Sequence, residues 1–305
     1  MPTRIVSLLL ATLAAACSRG CHDAPRSTSS SAAITITDDQ GQRVSLRAPA
    51  RRIASLSPAN TETLFAIGCG DRVVLRDRVS GFPPEARRLP ATNPFQLSPD
   101  HIAGFRSDLV LLSHADNARI AALRQLGIAV AVLEPADLSG VLDDIVKVGR
   151  LCGAATRARA LAASLRRRVE ALSRRLAGRP PPSVFVETDG TDPLKPWTAG
   201  AGSFVDGMLR LAGGRNVFGH LARPYAQVSA EEVLATRPDF ILVMGVASGR
   251  TGLTRLRARE GWNAMEAVRA GRVIDDIDAD LLSRPGPRLL DGVEALARHL
   301  HPGAF

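Results

Sequence analysis

The sequence has few lysines and few aromatic residues. Its 39 basic side chains include only two lysines, Lys147 and Lys195, and the arginines are spread through every segment. Aromatic residues make up only 4% of the chain, so stacking platforms for bases are scarce. The net charge of +9 therefore indicates a compositional bias toward arginine, and no nucleic-acid partner is expected.

Sequence signatures of catalysis and of structural metal sites are also missing. The chain has no Gly-x-Ser-x-Gly elbow, no His-Glu-x-x-His pair and no phosphate-binding Walker loop, and its six histidines are scattered. Neither a Cys-x-x-Cys pair nor a Cys/His zinc spacing occurs among the four cysteines. We therefore expect neither an enzyme nor a bound metal or other cofactor.

No apolar run is long enough to cross a bilayer as a helix, which needs about 20 residues. An apolar run over residues 5–16 follows Arg4 and precedes Cys17, a pattern that predicts a cleaved signal peptide over residues 1–17. The preceding alanines make Cys17 similar to an acylated lipobox cysteine, and plain cleavage at this point stays open. Residues 18–33 predict a flexible tether, because they are rich in serine and lack periodicity. The mature protein is expected in the periplasm or anchored to a membrane by lipid.

Export permits a disulfide between Cys69 and Cys152. Each cysteine lies among small apolar residues, however, and this setting favours two buried free thiols. The sequence leaves the two alternatives open.

Alternating apolar strands and helical stretches predict an α/β fold with parallel sheets covered on both faces. Strands are expected at residues 52–56, 73–75, 109–112, 129–133, 184–187, 240–244 and 272–275. Helices are expected at residues 61–67, 98–105, 115–126, 203–212, 229–235 and 287–299. Ser229 followed by Glu232 predicts a capping box at the start of the helix at 229–235. The alternating residues 34–37 predict the start of a hairpin.

One long helix is predicted between the two series of strands. Residues 154–177 contain neither glycine nor proline, and such a helix is about 36 Å long. Apolar residues recur along it at spacings of three and four, namely Leu161, Leu165, Val169, Leu172 and Leu176. The sequence therefore predicts two Rossmann-like lobes joined by a single long α-helix, with a ligand cleft between them. The predicted limits are 34–150 for the N-terminal lobe, 151–178 for the linking helix and 183–301 for the C-terminal lobe.

Several segments are similar to motifs of one known family. They are Ile53-Ala-Ser-Leu-Ser-Pro-Ala-Asn-Thr-Glu62, Phe82-Pro-Pro-Glu-Ala86, Asp108-Leu-Val-Leu-Leu112, Leu211-Ala-Gly-Gly-Arg-Asn-Val-Phe218, Gln227-Val-Ser-Ala-Glu231 and Leu282-Ser-Arg-Pro-Gly-Pro-Arg288. In this order the chain resembles the helical-backbone class of periplasmic substrate-binding proteins of ABC importers, and most closely its cobalamin-binding members. The resemblance implies a monomeric receptor that captures a corrinoid between its lobes and delivers it to a permease with a partner ATPase.

The resemblance also implies roles for individual residues. Asp100 and Glu231 fall where the family carries carboxylates that dock against permease arginines, although the macrodipole of a helix start also favours an acid there. Six residues are expected to contact the ligand: Phe82, Phe95, Trp197, Tyr225, Asp280 and Arg284. For Trp262, packing in the core is expected instead.

Other ligands of the same class stay open at the level of sequence. The first lobe has no tryptophan, and a haem or an anionic ferric siderophore is the main alternative. An anionic siderophore would need arginines, and four are candidates: Arg76, Arg78, Arg223 and Arg250. A receptor for bare zinc or manganese would need a set such as His114, His220 and Asp280.

Overall fold

The structure, a computed structural model, describes residues 33–93, 98–244 and 251–305. The predicted signal peptide, Cys17, Phe95 and Arg250 lie outside these ranges, as does nearly all of the predicted tether. The described chain begins with an antiparallel hairpin of β1 (Ile34–Thr37) and β2 (Arg43–Leu46), as its alternating pattern predicts. Within the described ranges, no helix is both long and apolar enough to span a membrane.

The first lobe is built on a five-stranded parallel sheet. Its strands are β3 (Ile53–Ser55), β4 (Val73–Asp77), β5 (Ala91–Thr92), β6 (Leu109–Leu112) and β7 (Ala129–Val132), in the order β5-β4-β3-β6-β7. Helices α1 (Pro58–Ala66), α2 (Pro99–Gly104) and α3 (Asn117–Gln125) connect them. The central strands are buried on both faces, as their continuous apolar runs predict. Helix α1 begins three residues earlier than predicted, because Pro58 occupies its first turn, where proline is well tolerated.

Two helices follow the first sheet, and the sequence interpretation found only one of them. Helix α5 (Ala155–Leu176) is the predicted long helix, and its apolar stripe packs into the main core. Helix α4 (Leu138–Leu151) was not predicted, although its apolar residues repeat at helical spacing. The two helices pack closely, because a Cβ atom on Gly149 would lie only 2.2 Å from the Cβ atom of Ala158.

The second lobe is built on a mixed six-stranded sheet. Its strands are β8 (Ser183–Asp189), β9 (Trp197–Ala199), β10 (Arg215–Asn216), β11 (Tyr225–Gln227), β12 (Phe240–Val243) and β13 (Val273–Ile274). Strands run in the order β11-β9-β8-β12-β13, with β10 beside β8, and β9 pairs antiparallel with both of its neighbours. Its helices are α6 (Phe204–Leu211), α7 (Ala230–Thr236), α8 (Gly252–Arg257), α9 (Glu266–Arg269), α10 (Ala279–Ser283) and α11 (Leu289–Leu300).

Details of the second lobe confirm some predictions and correct others. The capping box of Ser229 and Glu232 at the start of α7 is present. The short strands β9 and β11 were not predicted, because three-residue strands carry almost no periodic signal. Helix α11 begins after Arg288, so Pro287 precedes the helix instead of lying in its first turn. The fold is the predicted α/β architecture, and the predicted domain limits stay a prediction.

The prediction of free thiols is wrong. Cys69 and Cys152 are fully buried, form a disulfide and have Cα atoms 6.5 Å apart. Cys69 lies just beyond α1 and Cys152 is the C-cap of α4, so the bond joins the ends of two helices separated by 83 residues. Tertiary packing brings these ends together, and local sequence carries no signal of it. The core prediction for Trp262 is confirmed, since its indole is buried against Phe185.

Candidate ligand-binding cleft

A cavity of about 680 Å³ is lined by residues from both lobes. This volume is typical of small-molecule sites. First-lobe residues come from the loops at the carboxyl ends of β3, β4, β6 and β7, where ligands of parallel sheets usually bind. They include Ser57, Pro58, Ala59, Val79, Ser113, His114, Leu133, Glu134, Pro135 and Ala136. The second lobe supplies Gly202, Ser203, Phe204, Pro224, Tyr225, Asp280, Ser283, Arg284 and Pro285.

Three of the six predicted ligand contacts lie on this cleft, namely Tyr225, Asp280 and Arg284. Tyr225 is 45% exposed, and burial of the rest raises the pKa of its hydroxyl, which stays protonated at neutral pH. Trp197 lies nearby on the neighbouring strand β9, and it is 42% exposed. The register pairs Trp197 with Gln227 and Tyr225 with Ala199, so both aromatic side chains lie on one face of this strand pair.

Arg284 does not reach the cleft as an unpaired cation. Its Nη2 atom lies 2.7 Å from Asp280 Oδ2, and the same atom donates to the carbonyl oxygen of Val79 at 3.2 Å. Its Nη1 atom donates to Glu62 Oε1 at 3.3 Å. Of the cleft-lining residues in the described ranges, Arg284 is the only arginine, and lysine is absent from that set. The positive charge of the described cleft wall is therefore already neutralised by carboxylates.

Glu62 is a functional candidate that the sequence interpretation missed. It is only 3% exposed, and it accepts hydrogen bonds from Arg288 Nε at 2.9 Å and Arg288 Nη2 at 2.8 Å. These hydrogen bonds raise the pKa of the Arg288 guanidinium, which therefore stays charged. Phe82, the fifth predicted contact to be placed, stacks on Arg288, whose guanidinium carbon lies 3.6 Å from the centroid of the ring. A signal for Glu62 existed, since a carboxylate in an otherwise buried helix needs cationic partners.

A histidine–carboxylate pair lies on the first-lobe wall. The Nδ1 atom of His114 lies 3.0 Å from Glu134 Oε1, and both side chains are substantially exposed. The backbone N–H of Glu134 donates to Asp39 at 2.6 Å, which ties this wall to the N-terminal hairpin. The cleft thus offers an imidazole from one lobe and a phenol from the other.

The predicted docking acids occupy equivalent positions in two short helices. Asp100 is the second residue of α2, whose N-cap Ser98 accepts the N–H of His101. Glu231 is the second residue of α7, whose N-cap Ser229 accepts the N–H of Glu232. Both acids are exposed, which leaves their carboxylates accessible to a partner.

The residues of the alternative sites are dispersed. Arg76 is buried, and its guanidinium donates to backbone carbonyls of Asp77, Ala86 and Arg87, so it is committed to the first-lobe loop. Arg78 and Arg223 are exposed and do not line the cleft. Of the proposed zinc set, His114 and Asp280 line the cleft and His220 does not. In the part of the chain that the structure describes, no group of three or more His, Cys, Asp or Glu residues is placed to hold a metal ion.

The chain belongs to the periplasmic binding protein family, whose family model matches residues 53–279. Members of this class are solute-binding proteins, and those of ABC transporters work with a permease and an ATPase.

Two curated relatives cover most of the chain. An uncharacterized ABC transporter substrate-binding lipoprotein of Bacillus subtilis, YvrC, is 28% identical over 89% of this chain and 87% of its own length. A vitamin B12-binding protein of Photorhabdus laumondii is 29% identical over 84% of this chain and 90% of its own length.

Solved structures similar to this one are named for different ligands. The periplasmic vitamin B12-binding protein BtuF of Vibrio cholerae superposes with a TM-score of 0.71, at 28% identity, and covers 83% of this chain and 98% of its own. The periplasmic haem-binding protein RhuT of Roseiflexus gives a TM-score of 0.72 at 29% identity, over 84% and 100% of the two chains. The structure of an ABC-type Fe3+-hydroxamate transport system of Saccharomonospora viridis gives a TM-score of 0.70 at 27% identity. It covers 87% of this chain and 98% of its own.

Proposed function

We propose that this protein is the receptor of an ABC importer for a corrinoid, a cobalamin-like ligand that it captures in the cleft between its lobes. The observation that carries the proposal is the pairing of Arg284 with Asp280 and Glu62, which leaves no net positive charge on the described cleft wall. A corrin carries neutral amides at its edge, whereas a haem or an anionic siderophore carries carboxylates that favour unpaired arginines. The curated relatives that bind vitamin B12 support the same choice.

The flat face of the corrin would pack against the aromatic side chains of Trp197 and Tyr225, which share one face of their strand pair. Asp280 binds Arg284 through Oδ2. Its other carboxylate oxygen, Oδ1, would accept hydrogen bonds from amides at the edge of the corrin. Helix α5 connects the lobes without an internal glycine or proline, so ligand capture needs only a small rocking motion. Delivery would use Asp100 and Glu231 as docking carboxylates that orient the receptor on its permease.

In the cell, the receptor would be exported by the signal peptide of residues 1–17 and act in the periplasm or from a lipid anchor on Cys17. It would act as a monomer. Globomycin, which blocks the lipoprotein signal peptidase, tests the anchor. Accumulation of the unprocessed precursor supports acylation of Cys17, and unchanged processing to the mature size contradicts it.

Haem is the second candidate, and one feature of the cleft favours it. His114 and Tyr225 both line the cavity, and imidazole and phenolate are among the side chains that ligate haem iron. Coordination by either residue would produce a characteristic Soret spectrum that disappears in the corresponding variant.

Calorimetry with cyanocobalamin, haemin and a ferric hydroxamate distinguishes these ligands. We expect cyanocobalamin to bind with one-to-one stoichiometry, and Trp197→Ala to weaken binding about tenfold, since loss of one stacked aromatic costs roughly 1.4 kcal/mol. Trp262→Phe is the matched control, because Trp262 is buried away from the cleft. Binding of haemin with a Soret band that depends on Tyr225 or His114, together with no heat from cyanocobalamin, would replace the corrinoid proposal by the haem one.

A further inference from the structure

A buried carboxylate of the first lobe holds two arginines of the second. Glu62 lies on α1, and its two arginine partners, Arg284 and Arg288, flank the segment between α10 and α11. Both oxygens of Glu62 are used, because Arg288 binds them through Nε and Nη2 and Arg284 adds a third hydrogen bond. Arg–carboxylate pairs of this two-point type are geometrically specific.

Three further contacts hold the same segment against the first lobe. The carbonyl oxygen of Val79 accepts a hydrogen bond from Arg284, and the ring of Phe82 stacks on Arg288. Gly286 lies against the start of α1, where a Cβ atom on this glycine would be 3.4 Å from the Cα atom of Ala59. Helices α10 and α11 themselves pack on α6 of the second lobe. Segment 284–288 is therefore a bridge that belongs to one lobe and rests on the other.

We propose that Glu62, Arg284 and Arg288 form a latch that fixes the separation of the lobes at the cleft before any ligand binds. Glu62 is the positioning residue of this latch. Arg284 binds both Glu62 and Asp280, so the position of Asp280 on the cleft wall depends on Glu62. The latch itself does not depend on which ligand the protein takes. Its effect on corrinoid binding rests on the proposed function.

The energetics make Glu62 the residue on which the latch depends. Removing its charge leaves two guanidinium groups close together and mostly buried, with side chains only 15% and 20% exposed. Breaking a buried ion pair from one side is strongly unfavourable, because the remaining charge has lost its partner. The second lobe can relieve this repulsion by moving away from α1. Removing Arg288 alone leaves Glu62 paired with Arg284, so its effect is smaller.

The second lobe contains a matched control for this experiment. Glu187 is fully buried on β8 and is also held by two arginines, Arg255 at 2.9 Å and Arg259 through both of its terminal nitrogens. All three residues belong to the second lobe, so this cluster stabilises that lobe internally and does not bridge the cleft. Glu62→Gln and Glu187→Gln remove the same charge from the same kind of cluster.

The first test uses the ligand-free protein and compares hydrogen–deuterium exchange and small-angle X-ray scattering of the two variants. For Glu62→Gln we expect at least tenfold faster exchange in α1 and in segment 279–288, together with a larger radius of gyration. For Glu187→Gln we expect faster exchange confined to the second lobe and an unchanged radius. An unchanged radius and unchanged exchange of segment 279–288 in folded Glu62→Gln would overturn the latch. If Glu62→Gln does not fold, Arg288→Gln is measured instead, with a smaller change of the same kind expected.

The second test measures dissociation of cyanocobalamin by stopped flow. We expect Glu62→Gln to release it about tenfold faster, Glu187→Gln to release it at the wild-type rate, and Glu62→Asp to recover part of the loss. The effects of Glu62→Gln and Arg288→Gln should be clearly less than additive when combined, because both variants break one unit. Wild-type dissociation from Glu62→Gln would overturn the role of the latch in binding. Failure of the wild-type protein to bind cyanocobalamin would overturn the proposed ligand and leave the scattering result to decide on the latch.

Discussion

The two lobes contain the same short structural unit, which we call the Ser98 unit (residues 98–112) and the Ser229 unit (residues 229–243). In each unit a serine is followed at identical spacings by an acid, an arginine, an aspartate and a four-residue apolar strand. The matching residues are Ser98 and Ser229, Asp100 and Glu231, Arg106 and Arg237, and Asp108 and Asp239. The units therefore correspond position by position, although the rest of the two lobes differs.

Their geometry corresponds as well. Each serine caps a short helix, and a left-handed arginine follows that helix. Arg106 comes directly after the C-cap Phe105 with φ of 51°, and Arg237 is itself the C-cap with φ of 45°. A left-handed arginine costs about 1 kcal/mol, so both lobes accept the same strain to turn the chain into a central strand. Each aspartate then accepts hydrogen bonds from the backbone at the start of a neighbouring strand. Asp108 accepts from the N–H groups of Arg51 and Arg52, and Asp239 accepts from the N–H of Ser183. The equivalence of Asp100 and Glu231 thus follows from the internal repeat, independently of any family resemblance.

Removing both Asp100 and Glu231 tests whether the two units share the proposed function of docking to the permease. In the variant Asp100→Ala with Glu231→Ala, we expect uptake into cells to fall about 100-fold, since two docking ion pairs at roughly 1.4 kcal/mol each are lost. Ligand affinity should stay at the wild-type value, because neither acid lines the cleft. Asp143→Ala with Glu260→Ala is the control, since it removes one exposed acid from each lobe outside the two units. Weakened ligand binding in the first variant would count against docking.

The lobes differ, in contrast, in the partners of two buried acids, Glu187 in the second lobe and Asp144 in the first. Glu187 in the second lobe has two arginine partners, whereas Asp144 on α4 pairs with Lys147 and has one oxygen without a hydrogen-bond partner. Burial raises the pKa of Asp144 to about 7, so between about pH 4 and 7 the folded protein keeps a proton that the unfolded chain has lost. The contribution of Asp144 to the free energy of unfolding should therefore fall as the pH rises through this window.

Asp144→Asn should remove a pH dependence of about 3 kcal/mol between pH 4 and 7. Denaturant unfolding at several pH values measures it. The same pH dependence in the wild type and in Asp144→Asn would show that Asp144 is ionised when folded.

Asp239 should show the opposite pH dependence. The hydroxyl of Ser183 and its backbone N–H donate to Asp239 at 2.6 and 2.7 Å, and these hydrogen bonds lower the pKa of its carboxyl. The stabilisation is present at neutral pH and is lost as the pH falls below about 4. Asp239→Asn should cost about 1 kcal/mol at pH 7 and almost nothing near pH 2. Asp108→Asn is the matching variant of the first lobe. If Asp239→Asn lowers the free energy of unfolding by the same amount at pH 7 and pH 2, the stabilisation does not come from the ionised carboxylate of Asp239.

The smallest expected effect concerns the capping of the two helices. In the Ser229 unit, Glu232 completes a capping box, and its pKa is lowered by the backbone hydrogen bond from Ser229. The Ser98 unit has His101 at that position. His101→Glu should install the missing hydrogen bond and raise the free energy of unfolding by about 0.5 kcal/mol. Thermal melting measures the gain, with His101→Gln as the uncharged comparison, and a lower melting temperature would show that the helices are not interchangeable.

Much of this fold follows from local sequence patterns, and the exceptions share a cause. The long helix, the buried strands and the capping box depend on periodicity and on neighbouring residues, and they were predicted. Strands β9 and β11 are too short to show a period, and they form because each supplies hydrogen-bond partners to the other. The cleft was partly predicted through Tyr225, Asp280 and Arg284, whereas Glu62 was missed because its partners are more than 220 residues away.

The sequence by itself determined the α/β class, the linking helix and the two acids at helix starts, because each depends on side chains within one or two turns. Tertiary structure alone decided that Cys69 bonds to Cys152 and that Arg284 is neutralised by Glu62 and Asp280. Such pairings depend on which distant segments the packed core brings together. The charge available to a ligand is therefore a property of the assembled cleft.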